Sequence, residues 1–344
     1  MKLELKKRID VPTGSIFIAN GELNKQLEFL FVGDYGKNAN IKADFLGITR
    51  ELNGVPNGKI EPLEKKLVVT ISTQYGCSMK CKFCDVPKVG AGVNVTKYDL
   101  EEQVYLAVKE SGTSYTKRLN IHYARMGEPT FNPNVISHAR SLSPKVRVED
   151  KLFGLIDCDV IHPVVSTMCP KNNRHIEEFI RNWIDVKNNY YEGNAGLQLS
   201  INSTDENQRE YMFSGNTMKL EEISDMMYKM PNPKGRKYTL NFALADEYII
   251  DEHKLAKLFP TDRFICKLTP LHRTKSSKDN NIKTSLGYEE FTPYKDVENR
   301  LKSVGYDVIV FVPSYDEDDG LITCGNAILS GNLPKTKFIA KIIK

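Results

Sequence analysis

Six stretches rich in β-branched and apolar residues recur along the chain: KLVVTIS (66–72), RLNIHYAR (118–125), VIHPVVS (160–166), GLQLSIN (196–202), KYTLNFALA (237–245) and RFICKLTP (263–270). Each reads as a strand. Between them the apolar spacing lengthens to three and four residues. DLEEQVYLAVKESG (99–112) has helical periodicity and stops on Gly112, and NRHIEEFIRNWIDVKNN (173–189) and MKLEEISDMMYKM (218–230) follow the same pattern. Regular alternation of strand and helix predicts a parallel sheet with crossover helices. Six such strands predict an α/β fold, a partial (β/α)6 barrel. A seventh strand, YDVIVFVP (306–313), follows a helix over 294–305. In parallel barrels the chemistry gathers at the carboxyl ends of the strands.

Residues 1–65 follow another pattern. GSIFIANG, QLEFLFVGD and NIKADFLGIT read as short strands separated by Gly and Asn turns. They predict a small β-rich N-terminal extension, ending in the loop ELNGVPNGKIEPLEKK, with residues 66–344 forming the barrel and a C-terminal segment. No internal repeat or low-complexity tract interrupts either part.

Composition narrows the class only a little. A chain of 344 residues, 40% apolar and 27% charged, is ordinary for a globular protein. A net charge of +4 neither demands nor excludes nucleic acid. The first residues, MKLELKKRID, lack the apolar core of a secretory leader, and no apolar run reaches the ~18 residues of a membrane span. The expectation is a cytoplasmic protein without a membrane partner. Seven cysteines, three of them bunched, argue against a secreted disulfide framework and for a reducing compartment.

The bunch is YGCSMKCKFCD (75–85). Cys77, Cys81 and Cys84 stand in a C-x3-C-x2-C pattern directly after the first predicted strand. A structural zinc site wants a second ligand pair, and His122 and Cys158 are isolated and distant. Three thiolates can instead hold three irons of a 4Fe–4S cluster and leave the fourth open. With Phe83 before the last cysteine, the pattern resembles the signature of the radical S-adenosylmethionine (SAM) superfamily. That resemblance implies that the amino and carboxylate groups of SAM bind the open iron and that electron transfer then cleaves the sulfonium. The segment RMGEPTFNPNV (125–135) follows the second strand. Gly127 and Glu128 resemble the motif that meets the amino group of SAM, where a carboxylate makes a charge-assisted contact.

The order and spacing of TISTQYGCSMKCKFCD, MGEPTFNPNV, VVST, LSIN, KLTPLH and GLITCGNAIL resemble the RlmN/Cfr-type adenine methyltransferases over roughly residues 66–332. That family implies methylation of an sp2 carbon of adenine in RNA; for this chain the expectation is adenine or a similar heteroaromatic ring, in RNA or outside it. By the match, Ser166 contacts SAM at the end of the third strand, and Ser200 and Asn202 line its ribose and adenine region. His272 falls where the family usually has an Asn. Cys324, in LITCGNAIL, matches the cysteine that is first methylated by one SAM and later gives up its methyl carbon as a radical. An electron donor such as flavodoxin or ferredoxin is implied as a partner.

Three departures stand beside the match. The family's second cysteine, seven residues before the cluster motif, is Thr70 here. The family's helical RNA-binding domain is replaced by the β-rich 1–65. The basic segment before the C-terminal cysteine is PSYDEDDGLIT, with acids from Asp316 to Asp319, and acids repel the phosphates from which RNA affinity comes. Basic runs exist at 233–237 and 271–283, with Tyr238 the aromatic close to them. Cys158 and Cys266 read as core, Cys169 as a candidate redox partner of Cys324, and Asp44 as a candidate proton acceptor. Two alternatives stay open. One is an enzyme of the same fold acting on a small molecule or peptide without cysteine methylation. The other is a non-catalytic Fe–S or zinc protein.

Overall fold

All six expected parallel strands form, side by side and in sequence order. The computed structural model describes residues 3–11, 13–33, 62–146, 154–283, 292–311, 327–330 and 340–342. Strands β1 (Glu4–Val11), β2 (Gly14–Asn20) and β3 (Gln26–Val32) lead antiparallel into β4 (Leu67–Ile71). A short ribbon of β5 (Gln74–Gly76) and β6 (Ala91–Asn94) follows. The parallel series continues through β7 (Tyr115–Tyr123), β8 (Asp157–Thr167), β9 (Gly196–Ser200), β10 (Tyr238–Leu244), β11 (Phe264–Pro270) and β12 (Val308–Val310). β13 (Ala340–Ile342) adds itself antiparallel to β1. The result is one 11-stranded sheet in the order β12-β11-β10-β9-β8-β7-β4-β3-β2-β1-β13.

Two features add to the expected partial barrel and β-rich N-terminal extension. Among the described residues the sheet is open, with β12 and β13 at its edges, and no ring of strands closes. The N-terminal strands also continue that sheet directly, because β3 pairs with β4. The expected strand at 40–49, and Asp44 within it, lie outside the described residues.

The helices are α1 (Lys97–Ser111), α2 (Asn134–Ser141), α3 (Ile176–Asp185), α4 (Glu206–Met212), α5 (Leu220–Tyr228), α6 (Glu252–Leu258), α7 (Lys275–Asp279), α8 (Thr292–Ser303) and α9 (Ala327–Ser330). Local chemistry sets their ends. Thr96 caps α1 by accepting from the Asp99 amide at 3.1 Å, and Gly112 ends it in the left-handed region at φ 71°. On α3, Ile176, Phe179, Ile180, Trp183 and Ile184 bury one face. The expected helix to residue 189 ends earlier, because Val186–Tyr190 widen into a π turn.

Alternate residues of each strand point to opposite faces. Leu67, Val69, Ile71, Leu119, Ile121, Tyr123, Leu197, Leu199, Leu240, Phe242, Cys266 and Leu268 join Trp183 and the other helix residues in the main core. The opposite face is polar in the middle of the sheet, with Thr70, Asn120, His122, His162, Gln198, Ser200 and Asn241 at the alternating positions. Under β1–β3 that face becomes apolar again: Ile9, Val11, Ile16, Ile18, Leu30 and Val32 cluster there with Val68 and Ile328.

Two buried histidines give the fold an acid limit. His138 meets the Tyr123 hydroxyl at 2.7 Å through Nδ1, and burial pushes its pKa down to about 3. Burial does the same to His162, to about 2, helped by Arg118 and Arg236. Both are neutral when folded, whereas an unfolded imidazole takes a proton near pH ~6.5. Their stabilisation is therefore full above that pH and is lost as the pH falls below it. Stability from urea titrations should drop by roughly 1.4 kcal/mol per pH unit per histidine below pH ~6. His138→Gln should remove its share of that slope; an unchanged slope would count against the assignment.

Candidate active site

The cysteine loop is held shut at its base. β5 and β6 pair Gln74 with Asn94 and Tyr75 with Val93, so residues 77–90 leave and return at one point beyond the carboxyl end of β4. Gly92, at φ 86°, passes so close that an added Cβ would lie 2.7 Å from the Ser78 amide nitrogen. Cys77, Cys81 and Cys84 are all half-buried free thiols. Burial, then the charge of Glu128, raises Cys77 to about 11 against the amides of Met79 and Glu128. Burial raises Cys81 well above the ordinary thiol range, and repulsion from Cys84, Cys77 and Glu128 adds to it. Cys77 and Cys84 therefore each lie within electrostatic reach of Cys81, and Cys77 and Cys81 within reach of Glu128.

Three ionised thiols in one loop need a cation among them. Among the described residues, no three His, Cys, Asp or Glu side chains converge as ligands of one metal ion. Zinc draws its thiolates to bonds of about 2.3 Å and so into such a knot. A four-iron cluster spreads three thiolates over three irons, and this donor set fits that demand.

Polar side chains from distant segments grip the loop's backbone. The Met79 carbonyl accepts from Asn216 at 2.9 Å, that of Lys80 from Ser214 at 2.5 Å, that of Lys82 from Asn280 at 2.9 Å and that of Phe83 from Thr274 at 2.6 Å. Asp85 accepts from the Ser276 amide and hydroxyl at 2.9 and 2.6 Å and so holds the start of α7. Burial opposes ionisation of Asp85, but hydrogen bonds from Ser276 and Lys88 outweigh it and keep the carboxyl below its ordinary range. Sequence reasoning missed this clamp. The run 271–283 reads as basic surface, yet Thr274, Ser276 and Ser277 are buried against the loop. A usable signal was present: Thr274 caps α7 by accepting from the Ser277 amide at 2.9 Å, a short-range capping pattern.

Gly127 and Glu128 sit where β7 ends. Gly127 takes φ 94°, and a Cβ there would come within 2.5 Å of the Gln74 Cβ, so only glycine lets this turn lie against β5. Glu128 is 4% exposed. Its carboxylate accepts from the Thr130 hydroxyl at 2.8 Å, the Thr130 amide at 3.2 Å and the Met168 amide at 3.1 Å. Burial still raises its pKa, against hydrogen bonds from Thr167 and Thr130. A desolvated carboxylate with raised pKa gains from a cation placed beside it.

The remaining expected residues also fall at strand ends. Ser166, near the end of β8, donates to Gln198 at 3.3 Å. Ser200 ends β9, half-buried. Asn202 is buried in the left-handed region, at φ 61°; its amide accepts from the Ala243 amide at 3.0 Å and donates to the Met212 sulfur at 3.1 Å. His272 follows β11, half-buried, its carbonyl accepting from the Thr274 amide. An apolar cluster apart from the main core binds these ends together. Met79, Met168, Met212, Phe213, Leu271 and Ile282 form it, with Cys77, Cys81 and Phe83 packed against it. The site thus has three thiols, one buried carboxylate and an apolar wall at the carboxyl edge of a parallel sheet.

Comparison with known proteins agrees with this geometry. No family model matches the chain. A probable dual-specificity RNA methyltransferase RlmN of Chlorobaculum tepidum is 34% identical over 108 residues, 31% of this chain and 29% of that protein. The dual-specificity RNA methyltransferase RlmN of Sorangium cellulosum is 27% identical over 276 residues, 78% of this chain and 63% of that one. The chain thus spans less than two thirds of these curated relatives. A radical SAM methyltransferase from Sphaerobacter thermophilus shares the fold, with a TM-score of 0.59 at 16% identity over 92% of this chain and 79% of that chain. In sequence the chain is similar to the RlmN dual-specificity RNA methyltransferases, and in fold to a radical SAM methyltransferase.

The other cysteine positions of an RlmN-type reading can be placed against the fold. Thr70 lies on the polar face of β4, beside His122 of β7 and Leu30 of β3. Cys169, in the left-handed region at φ 54°, is fully buried, and burial with the nearby Glu128 pushes its thiol up to about 12. Cys266 is core, as expected, and Cys158 packs half-buried against it. Cys324 and the acids Asp316–Asp319 lie outside the described residues. Tyr238 is no RNA-stacking surface: it is fully buried and donates to the Pro231 carbonyl at 2.6 Å. Sequence reasoning also missed Glu28. It is buried on β3, ion-paired with Arg125 just before the Gly127–Glu128 turn, and it accepts from the Ile328 amide at 3.2 Å. No helix among the described residues is long and apolar enough to cross a membrane.

Proposed function

We propose that the chain is a radical SAM methyltransferase of the cysteine-mediated type, acting on an sp2 carbon of adenine in RNA. The reading rests above all on Cys77, Cys81 and Cys84 sharing one loop at the carboxyl ends of parallel strands, with Cys77 and Cys81 beside buried Glu128. The three cysteines would hold a 4Fe–4S cluster; Gly127, Glu128, Ser166, Ser200, Asn202 and His272 would bind SAM. When bound, the cluster supplies the electron that cleaves the sulfonium. Glu128 receives the amino group, and its own burial makes that pairing favourable. Met79, Met168, Met212 and Leu271 keep water from the reacting atoms. Cys324 would accept a methyl group on Sγ, releasing its thiol proton, and pass the methyl carbon on. The setting would be a reducing cytosol.

One feature favours a second reading. Thr70 stands where the cysteine-mediated scheme needs a second thiol, and four acids precede Cys324. That combination suits an enzyme of the same fold acting on a small molecule or peptide without cysteine methylation. Mass spectrometry decides between the two. Chain isolated from SAM-replete cells should carry 14 Da, one added CH2 (~14 Da), on the peptide spanning Cys324. A peptide that never gains it under turnover, alongside normal 5′-deoxyadenosine formation, would favour the second reading.

A further inference from the structure

Cations gather on the polar face of the sheet, toward the amino ends of the strands and away from the cysteine loop. On β7 that face carries Arg118, Asn120 and His122, and the register sets Asn120 beside His162 of β8. Arg236 joins them from just ahead of β10. The two arginines and His122 are half-buried, Asn120 and His162 buried. The charges acting most strongly on these groups are all positive. Burial first, then Lys267, Lys66, Arg236 and Arg118, pushes His122 down to about 3. Burial also loosens the hold of both arginines on their protons, and Arg118 adds to this at Arg236. The Arg118 guanidinium has one partner, Asn120, which accepts from Nε at 2.9 Å. That of Arg236 has none among the described residues. Yet Arg236 is not there by accident. Its loop, PNPKGRK (231–237), reads as basic surface but is pinned to the π turn after α3. The fully buried Lys187 ammonium donates to the Gly193 carbonyl at 3.1 Å and to that of Lys234. Asn188 donates to the Asn232 carbonyl and accepts from the Lys234 amide, both at 3.0 Å. Gly193, at φ 90°, packs so tightly that a Cβ would lie 2.4 Å from the Lys234 carbonyl oxygen. Its own carbonyl accepts from the Arg236 amide at 3.3 Å.

The geometry points to this group as the binding site for the terminal phosphate of an adenine nucleotide. Like charges held half out of water cost free energy that an anion between them would recover. Two guanidinium forks match the paired oxygens of a phosphate, and a neutral imidazole offers one further N–H. The base rests on the adenine reading of the site; the anion does not. From His162 the same face of β8 leads through Val164 to Ser166, at the SAM end. Four residues of strand span about 13 Å, so a phosphate at the arginines leaves room for its base to lie along the face toward Ser166. A terminal monoester carries nearly two charges, which suits a cluster of this strength. An internal RNA phosphate suits it less, because it carries one charge and has chain on both sides. The site thus deepens the small-molecule reading, in which a free nucleotide is the methyl acceptor.

The iron-loaded full chain is titrated by calorimetry with AMP, adenosine, inorganic phosphate and a short RNA bearing an internal adenine. AMP should bind more tightly than adenosine or phosphate, and phosphate should compete with it. Arg118→Gln/Arg236→Gln should weaken AMP by about tenfold or more and adenosine little. Arg118→Lys/Arg236→Lys keeps the charge without the fork and should lie between. Lys229→Gln/Lys257→Gln, which removes the same charge from exposed positions at α5 and α6, should bind AMP as the wild type does. Arg236→Gln alone loses no partner, so in urea it should be no less stable than wild type, a result that a structural arginine would not give. AMP bound no more tightly than adenosine, or equally by wild type and the double Gln variant, would overturn the assignment. So would a double Gln variant that loses RNA binding when AMP does not bind at all. Formation of 5′-deoxyadenosine from SAM and dithionite is followed alongside. Its absence in the wild type would sink the radical reading and leave AMP binding as the judge of this site.

Discussion

Cys77→Ala, Cys81→Ala and Cys84→Ala should each abolish iron–sulfur absorption and all SAM cleavage. In the proposed site each thiolate would hold one iron, and two would not keep the cluster in place. The loss should be specific to the chemistry, because the loop does not depend on its thiols for shape. Its carbonyls are held by Asn216, Ser214, Asn280 and Thr274, and its base by the β5–β6 ribbon. The alanine variants should therefore fold, with stability by urea titration within about 1 kcal/mol of the iron-free wild type. Burial raises the Cys77 and Cys81 thiols, so removing them deletes no folded-state charge in the iron-free protein. A triple alanine variant that still yields 5′-deoxyadenosine would sink the radical reading.

Glu28→Ala should be the most damaging single change to stability outside the main core. The carboxylate is fully buried, and the side chain of Arg125 opposite is only 3% exposed. Removing one partner breaks a buried ion pair, which typically costs about 3–5 kcal/mol. That is a large fraction of the ~5–15 kcal/mol that holds a domain together. The Ile328 amide loses its acceptor at the same time. Glu28→Leu combined with Arg125→Met removes both charges and should recover most of the loss, since well-packed apolar pairs often equal buried ionic ones. Urea titration of the two variants tests this; a single-variant loss under about 1 kcal/mol would show that the pair is solvated after all.

Much of the fold was legible because a sheet packed under helices writes itself into consecutive apolar residues. Ile161, Leu197, Phe242 and Leu268 all point into the core from stretches recognisable without coordinates. β1 was not legible. Its sequence, ELKKRIDV, reads as a charged segment, and only its register against β2 makes it a strand. The three-residue β13 owes its form to β1 alone. At the site, the cysteines and the Gly127–Glu128 turn carried their own spacing, and the fold brings them together. The clamp and the Glu28–Arg125 pair did not, because their partners lie 97 to 198 residues apart. Ser214, Asn216, Thr274 and Asn280 look like ordinary turn residues until something is known to lie against them.

The pairing of β1 with β13 also sets a schedule for synthesis. Lys7 is opposite Ile342, so β1 waits for a strand made 335 residues later. At roughly 5–20 residues per second that wait is on the order of 20–70 s. During it β1 presents an unpaired edge, the kind of surface on which nascent chains join one another. Its sequence answers the hazard: Lys6, Lys7 and Arg8 stand consecutively along that edge, Lys6 paired with Glu4 and Arg8 with Asp10 and Glu110, and a charged edge is a poor template for a second copy while the proper partner is still unmade. Neutralising those three residues should leave the finished enzyme's chemistry alone and raise the share of chains lost to aggregates while they are being made.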